Sequence, residues 1–281
     1  MNPIVVAIDF SESSINAFLH ALSIAQNCKK DITLVWVQKS ESDKDKFETE
    51  SNHVKEVEAQ FEELVKKYQP DLPANKINWK IRTGKVYKEI ADEAKESNAM
   101  MVVTGTHGAS VFVEFWIGSN ANRIISLSPC PVITIRSGID IDRPLKRILL
   151  PIDSTAETRQ KASFTSYLTK QSGAEVVILS VYTTKIKEVR KSVDTYAGQV
   201  AMHMEEEGVK YTLDSIEADN LSDSLIKYAK SVDANLIAIM SEQESSAKNI
   251  WMGPYTQQIV NRSPIPVLVI HTKSTAVGLG F

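Results

Sequence analysis

The chain of 281 residues carries an internal repeat. Residues 81–136 align with residues 216–271 without a gap, and the opening segments also match, because Ile8-Asp9 aligns with Ile152-Asp153. Identical pairs in the later part include Trp116 and Trp251, Gly118 and Gly253, Ile124 and Ile259, Ser128 and Ser263, Pro129 and Pro264, and Pro131 and Pro266. A repeat of this length is a whole folding unit, so the chain must fold as two copies of one unit.

The length agrees with two domains, because each copy is long enough to bury a core of its own. A short polar stretch with glycine and proline, residues 137–144, separates the copies as a linker would. We therefore predict one domain over residues 1–138 and a second over residues 145–272. The second copy is shorter than the first in its middle.

Apolar runs of strand length alternate with helix-length periodic segments in the first copy. We predict strands at residues 4–8, 32–37, 77–81, 99–104 and 132–135. We predict a first helix that is capped by the hydroxyls of residues 11–14, and three further helices at residues 54–68, 86–94 and 119–127. Continuous apolar strands between helices predict a parallel sheet covered on both faces. The predicted fold is α/β, with two tandem Rossmann-like domains, each a five-stranded, mainly parallel sheet with helices on both faces. Such sheets bind ligands at the carboxyl ends of their strands.

Charge and composition argue against several classes of partner. The formal net charge is −3, without the basic clusters that bind nucleic acid or anionic membranes. Cys28 and Cys130 are too few for a disulfide framework, and the five histidines lack metal-ligand spacing. The N-terminus has no export signal and no apolar run reaches membrane-spanning length, so we expect a cytoplasmic protein without nucleic-acid, membrane or metal partners.

A glycine-rich segment follows the fourth predicted strand of the first copy. It has the order glycine, two residues, glycine, nine residues and Gly-Ser, at Gly105, Gly108, Gly118 and Ser119. Gly105 and Gly108 would permit positive φ and close approach of a ligand to the main chain, although two such glycines alone are more typical of a tight turn. Gly118 and Ser119 open a helix, whose free N–H groups favour an anion. This placement between strand and helix predicts a phosphate site.

The chain resembles the universal stress protein family on this motif, on Asp9 after the first strand, and on Pro129 to Val132 before the last one. The resemblance covers nearly the whole sequence, twice. It implies bound ATP, AMP or ADP, with or without magnesium, in the first copy. By resemblance, Ala7, Ile8 and Asp9 approach the adenosine and the Val37 backbone contacts the base. The glycine loop with Gly105 and Gly108, together with Gly118 and Ser119, is implied to hold the phosphates. The candidate nucleotide site also includes Thr104, His107 and Asn120.

Several of these residues have a second interpretation. Asp9 could cap the first helix, and this role can coexist with ligand binding. His107 could line the pocket or face water. The apolar segment of residues 111–117 could pack on its own domain as a lid or bind a protein partner.

The second copy departs from the motif at its phosphate positions. Met240 and Gln243 replace the first two glycines, Pro254 replaces the serine, and Glu242 and Glu244 add negative charge. The side chains of Met240 and Gln243 hinder close approach to the main chain, the proline lacks an N–H donor, and the two glutamates repel phosphate charge. Each of these changes opposes the binding of a triphosphate. We expect no triphosphate in the second copy, while a different ligand remains open.

No residues form a recognisable catalytic set, and no P-loop is present. The favoured function is a nucleotide-dependent regulatory or stress-response protein with an unidentified protein partner. A slow nucleotide hydrolase, a nucleotidyl transferase and a nucleotide-independent interaction module are the alternatives.

The last strand of each copy, residues 132–135 and 267–270, is apolar on both faces. The family resemblance suggests that these two strands pair around a pseudo-twofold axis within the chain, as an intramolecular pseudo-dimer that could dimerise further. The alternative is that each strand packs only within its own domain.

Overall fold

The structure, a computed structural model, describes residues 2–38, 47–106, 118–136, 144–241 and 253–271. The first copy contains, in chain order, β1 Ile4–Ala7, α1 Glu12–Cys28, β2 Ile32–Gln38, α2 Phe47–Tyr68, β3 Ile77–Thr83, α3 Val86–Glu96, β4 Met101–Gly105, α4 Ser119–Leu127 and β5 Val132–Ile135. The second copy contains β6 Arg147–Ile152, α5 Lys161–Ser172, β7 Glu175–Tyr182, α6 Lys187–Glu206, β8 Tyr211–Glu217, α7 Leu221–Ser231, β9 Leu236–Met240, α8 Pro254–Arg262 and β10 Val267–Ile270. The predicted bounds of α4 and β5 are confirmed exactly.

The ten strands form one continuous sheet in the order β3-β2-β1-β4-β5-β10-β9-β6-β7-β8. Neighbouring strands are parallel throughout each half, and β5 and β10 are antiparallel where the halves meet. The predicted α/β fold is confirmed, and the two five-stranded sheets are joined at their last strands. The alternative in which each last strand packs only within its own half is wrong.

The sheet is covered on both faces because its strands are apolar on both sides. In β1, Ile4 and Val6 face one core and Val5 faces the other, and all three are fully buried. The first core includes buried residues of α1, α2, α5 and α6, and the second includes buried residues of α3, α4, α7 and α8. Both cores therefore run across both copies. No helix in the described ranges is long and apolar enough to cross a lipid bilayer.

The β5–β10 pair has a defined hydrogen-bond register. Thr134 pairs with Val267, and Ile133 pairs with Leu268. The Ile135 carbonyl accepts a hydrogen bond from Thr106 N, so the odd-numbered residues of β5 direct their main-chain N–H and C=O groups toward β4. Because successive residues of a strand bond to opposite sides, Thr134 directs its N–H and C=O to β10.

We predict that Thr134→Pro weakens the junction between the halves by about 2 kcal/mol or more. Proline removes the N–H that faces β10 and leaves a buried carbonyl of Val267 without its donor. Hydrogen exchange measured by mass spectrometry should show faster exchange in β5 and β10 than in β1 and β7.

Thr134→Val is the matched control, because it removes the hydroxyl and retains the main-chain N–H. If β5 and β10 exchange at the same rate in Thr134→Pro as in Thr134→Val, the main-chain hydrogen bonds of Thr134 do not stabilise the junction between the halves.

Candidate functional site

The candidate site lies at the carboxyl ends of β1 and β4. The chain leaves β1 toward β2 on one side, while β4 lies on the other side of β1. A parallel sheet opens a crevice at such a reversal of strand order, and ligands bind there. Ala7 ends β1 and Gly105 ends β4, so both predicted site residues border this crevice.

The turn after β1 is closed by side chains. Asp9 Oδ1 accepts hydrogen bonds from the Ser11 N–H, at 3.1 Å, and from the Ser11 hydroxyl. Ser11 Oγ accepts from Ser14 N at 3.3 Å, and Asp9 N donates to Ser14 Oγ at 3.2 Å. Ser11 is thus the N-cap of α1, and Asp9 orients it rather than capping the helix itself. Asp9 remains exposed at the crevice.

Phe10, in the same turn, has an unusual backbone. Its φ is 61°, a left-handed conformation that a bulky residue rarely adopts. The Phe10 ring packs edge-on against Phe61 of α2, with 5.0 Å between ring centroids. This contact stabilises the turn that presents Asp9, and the sequence pattern gave no sign of it.

Gly105 is required for a close approach of helix and strand. It ends the extended strand β4 and is not among the described glycines with positive φ, so the expectation of positive φ is wrong. A Cβ at this position would overlap Ser13 Oγ and lie 3.0 Å from the Ser13 carbonyl. The absence of a side chain at Gly105 lets the first turn of α1 pack directly on β4.

Ser13 has a buried hydroxyl that finds no hydrogen-bond partner among the residues that the structure describes. The residue is 3% exposed and lies against Gly105 beneath the crevice. A buried hydroxyl without a partner destabilises a fold by about 1–3 kcal/mol, whereas Ser11 and Ser14 beside it are both hydrogen-bonded. Ser13 was not predicted as a site residue, although it follows Asp9 by only four positions.

The start of α4 closes the other side of the site. Gly118 N donates to the Thr106 carbonyl at 2.8 Å, which ties the helix start to the end of β4. Gly118 is the N-cap and supplies no side-chain acceptor. The N–H groups of the first helical residues, Ser119 and Asn120, have no carbonyl one turn earlier to bond, and both residues are exposed. These groups can meet an anion.

The other predicted residues occupy less accessible positions. Ile8 is 4% exposed and its N–H donates to the Val35 carbonyl, while the side chain of Val37 is buried in the core on the opposite face from Ile8. Thr104 is buried, and its hydroxyl donates to the Gly105 carbonyl at 3.1 Å. Only main-chain atoms of Ile8 and Val37 can therefore meet a ligand without repacking. His107, Gly108 and the apolar segment at 111–117 lie outside the described residues.

The second copy repeats the turn after its first strand. Asp153 Oδ1 accepts from Thr155 N at 2.7 Å, and Asp153 N donates to Thr158 Oγ1 at 3.3 Å. The helix start differs, because residues 156–160 form a 3₁₀ turn and α5 begins only at Lys161. Met240 ends β9 where the first copy has its glycine, so a side chain is present at this strand end.

The start of α8 also differs from that of α4. Gly253 has nearly the same N-cap conformation as Gly118, with ψ of 157° and 144° respectively. Pro254 then occupies the first helical position and offers neither an N–H nor a hydroxyl. No group of three or more His, Cys, Asp or Glu side chains suited to a metal ion occurs in the ranges that the structure describes.

Known proteins match both copies. The family model described as Universal stress protein family matches residues 1–136 and 144–271. The universal stress protein YxiE of Bacillus subtilis is 26% identical over 152 residues, which cover 48% of this chain and 99% of that protein. A universal stress protein of Methanocaldococcus jannaschii is 27% identical over 138 residues, covering 47% of this chain and 81% of that protein. A crystal structure of a universal stress protein from Archaeoglobus fulgidus covers 97% of this chain and 99% of its own, with a TM-score of 0.74 and 18% identity.

We predict that Gly105→Ala destabilises the protein by about 1–3 kcal/mol, because the new methyl group must displace Ser13 and the first turn of α1. Urea unfolding followed by circular dichroism measures this change.

Gly198→Ala is the control, because a Cβ at this helical glycine of α6 meets no atom within 4 Å. It should stabilise the protein by up to about 1 kcal/mol. Equal stability of Gly105→Ala and the unchanged protein would show that the close approach is not needed.

Proposed function

Because the chain belongs to the universal stress protein family over both of its copies, we propose that it is a nucleotide-dependent regulatory protein that binds one adenine nucleotide in its first copy. The nucleotide would occupy the crevice between the carboxyl ends of β1 and β4. Its phosphates would lie toward the start of α4, and its adenosine toward the residues that end β1 and β2.

The exposed start of α4 beside the strand ends is the observation that carries this proposal. Gly118 N donates to the Thr106 carbonyl at 2.8 Å and so ties the helix start to the end of β4, while Ser119 and Asn120 are exposed. The buried Ser13 hydroxyl nearby has no hydrogen-bond partner among the described residues. It is fully enclosed, so a ligand oxygen would reach it only if the first turn of α1 moved.

The start of α4 supports an anionic part for that ligand. Ser119 and Asn120 present main-chain N–H groups at the positive end of the helix dipole, and the Ser119 hydroxyl adds a donor. Asp9 remains exposed at the opposite side, where a carboxylate can accept from ribose hydroxyls. Gly108 and His107 belong to this proposal on sequence alone.

The second copy supports a single nucleotide site per chain. Its helix start carries Pro254, and Met240 fills the position at which Gly105 leaves room. The N–H of the first helical residue is not retained, and the strand end carries a side chain. We therefore assign the proposed nucleotide to the first copy alone.

The proposed role is regulatory, because a bound nucleotide would bias the arrangement of α1, β4 and α4 without a reaction. A nucleotide hydrolase or transferase on the same scaffold is the alternative, and a turnover assay with magnesium separates the two. The first experiment is to denature the purified protein and identify any released nucleotide by mass spectrometry.

We predict that isothermal titration with ATP gives a stoichiometry near one nucleotide per chain. The reason is that the helix start and the small residues at the strand end occur together only in the first copy. Two equivalent sites per chain would contradict the assignment.

We predict that Ser119→Pro, which copies the second copy, weakens ATP binding about tenfold, equivalent to about 1.4 kcal/mol. Proline is well tolerated at the first position of a helix, so the fold is retained while an N–H and a hydroxyl are lost. Titration calorimetry measures the affinity, and circular dichroism verifies the fold.

Pro254→Ser is the reciprocal control at the equivalent position of α8. It should leave ATP affinity unchanged, because that helix lies outside the proposed site. An unaltered affinity in a folded Ser119→Pro variant would exclude the start of α4 as the phosphate site.

A further inference from the structure

Glu93 and Lys161 are the two charged residues that the described part of the chain buries almost completely, and their surroundings differ. Glu93 is fully buried, and its carboxylate accepts from Lys80 Nζ at 2.8 Å and from Arg82 Nη1 at 2.7 Å. Both of its oxygens are therefore paired with cations. This is the usual arrangement, because an unpaired charge in a protein interior is strongly unfavourable.

Lys161 lacks such pairing. It is 2% exposed, and its Nζ has one hydrogen-bond partner, Thr158 Oγ1 at 2.9 Å. An ammonium group has three N–H donors, and that hydroxyl already accepts from Asp153 N. Among the described residues, a single neutral acceptor is thus available to a group with three donors.

Neighbouring charged side chains do not supply the missing hydrogen-bond acceptors of the Lys161 ammonium group. Asp153 is near enough to favour the ammonium form, but its Oδ1 is bonded by Thr155. Arg159 is directed elsewhere, because its guanidinium lies 4.7 Å from the Tyr196 ring centroid and donates to Gln199. Burial outweighs Asp153 and lowers the pKa of Lys161 from 10.5 to about 8.

Lys161 lies at the start of a helix beside the second reversal of strand order in the sheet. It is the first residue of α5, which packs with the preceding 3₁₀ turn against β9, and Thr158 links its Nζ to the turn after β6. The carboxyl ends of β6 and β9 form the second reversal of strand order in the sheet. At the equivalent position the first copy has Ala17, which is buried and uncharged. The first copy therefore packs without a lysine at this position.

We propose that the second copy binds a small oxyanion, a phosphate or a carboxylate, at the corner between β6 and β9, with the Lys161 ammonium as its counter-charge. The anion accepts hydrogen bonds from the two Lys161 N–H groups that have no acceptor among the described residues. Met240, Pro254 and the negative charge of Glu242 and Glu244 oppose a full triphosphate here, so the anion that we propose is small and paired directly with Lys161. The proposal does not depend on the nucleotide in the first copy.

Measuring the pKa of Lys161 tests the proposal directly. The protein is labelled with ¹³C-lysine, and the Lys161 side-chain NMR signal is assigned by its loss in Lys161→Met. Titration of this signal gives the pKa of Lys161 in chloride, inorganic phosphate and acetate at equal ionic strength. In chloride we expect a pKa of about 8. An anion that binds the charged form tenfold more tightly raises the pKa by about one unit, or about 1.4 kcal/mol.

The outcomes separate the sources of the anion. A rise in phosphate alone assigns a phosphate site, and a rise in acetate alone assigns a carboxylate site. The same pKa in all three salts overturns the proposal and leaves Lys161 as a buried neutral amine.

A second measurement tests the location of the anion. Urea unfolding in phosphate and in chloride should show a gain in stability for the unchanged protein and for Lys170→Met. Lys170 lies on the same helix, is exposed and pairs with Glu207 at 2.9 Å, so its replacement is a matched loss of charge. Lys161→Met should lose most of the gain. An equal gain in all three proteins places the anion elsewhere and overturns the proposal.

Discussion

The antiparallel pair of β5 and β10 is the interaction on which the rest of the molecule depends. Each strand is buried on both faces, so neither half could leave it as an open edge without exposing apolar side chains and unpaired main-chain groups. Pairing joins the sheets and lets both cores extend across both copies. Because the pair is antiparallel, the carboxyl ends of β1 and β4 lie at the opposite edge of the sheet from those of β6 and β9. The two crevices therefore open in opposite directions, and no single ligand can span them.

The two copies differ by substitutions that depend on one another. In the first copy, Gly105 and Ser13 are small enough for α1 to begin at Glu12 directly against β4. In the second copy Met240 carries a side chain at the glycine position, and the corresponding part of the chain is a 3₁₀ turn that delays α5 until Lys161. The two copies therefore differ both at the strand end and at the start of the helix that packs beside it. Divergence has altered the crevices while the sheet and its register were retained.

Apolar periodicity predicted most of this fold, because it reports directly on which residues are buried. The bounds of α4 and β5 followed from it, as did the strands that pair between the copies. Polar residues in buried positions could not be found in this way, since a lysine or serine in a helix has the pattern of a solvated face. Lys161 and Ser13 are such residues, and the role of Gly105 depends on a helix that is distant in sequence. The predicted contacts of Asp9, Gly118, Ser119 and Asn120 remain predictions, although these residues border one crevice.

The arrangement of helices offers a physical link between the two crevices. Helix α1 carries Ser13 in its first turn, beneath the first crevice, and packs against α5, whose first residue is Lys161 at the second. Burial in this contact, together with the nearby Cys28 of α1, raises the pKa of Tyr167 on α5. A packed contact transmits a signal only when it has two arrangements that both ligands bias. If it does, linkage requires that a nucleotide in the first copy change anion affinity at Lys161 by the same factor that the anion changes nucleotide affinity. Fusing the two copies in one chain would then join a nucleotide sensor to an anion sensor at a fixed ratio of one to one.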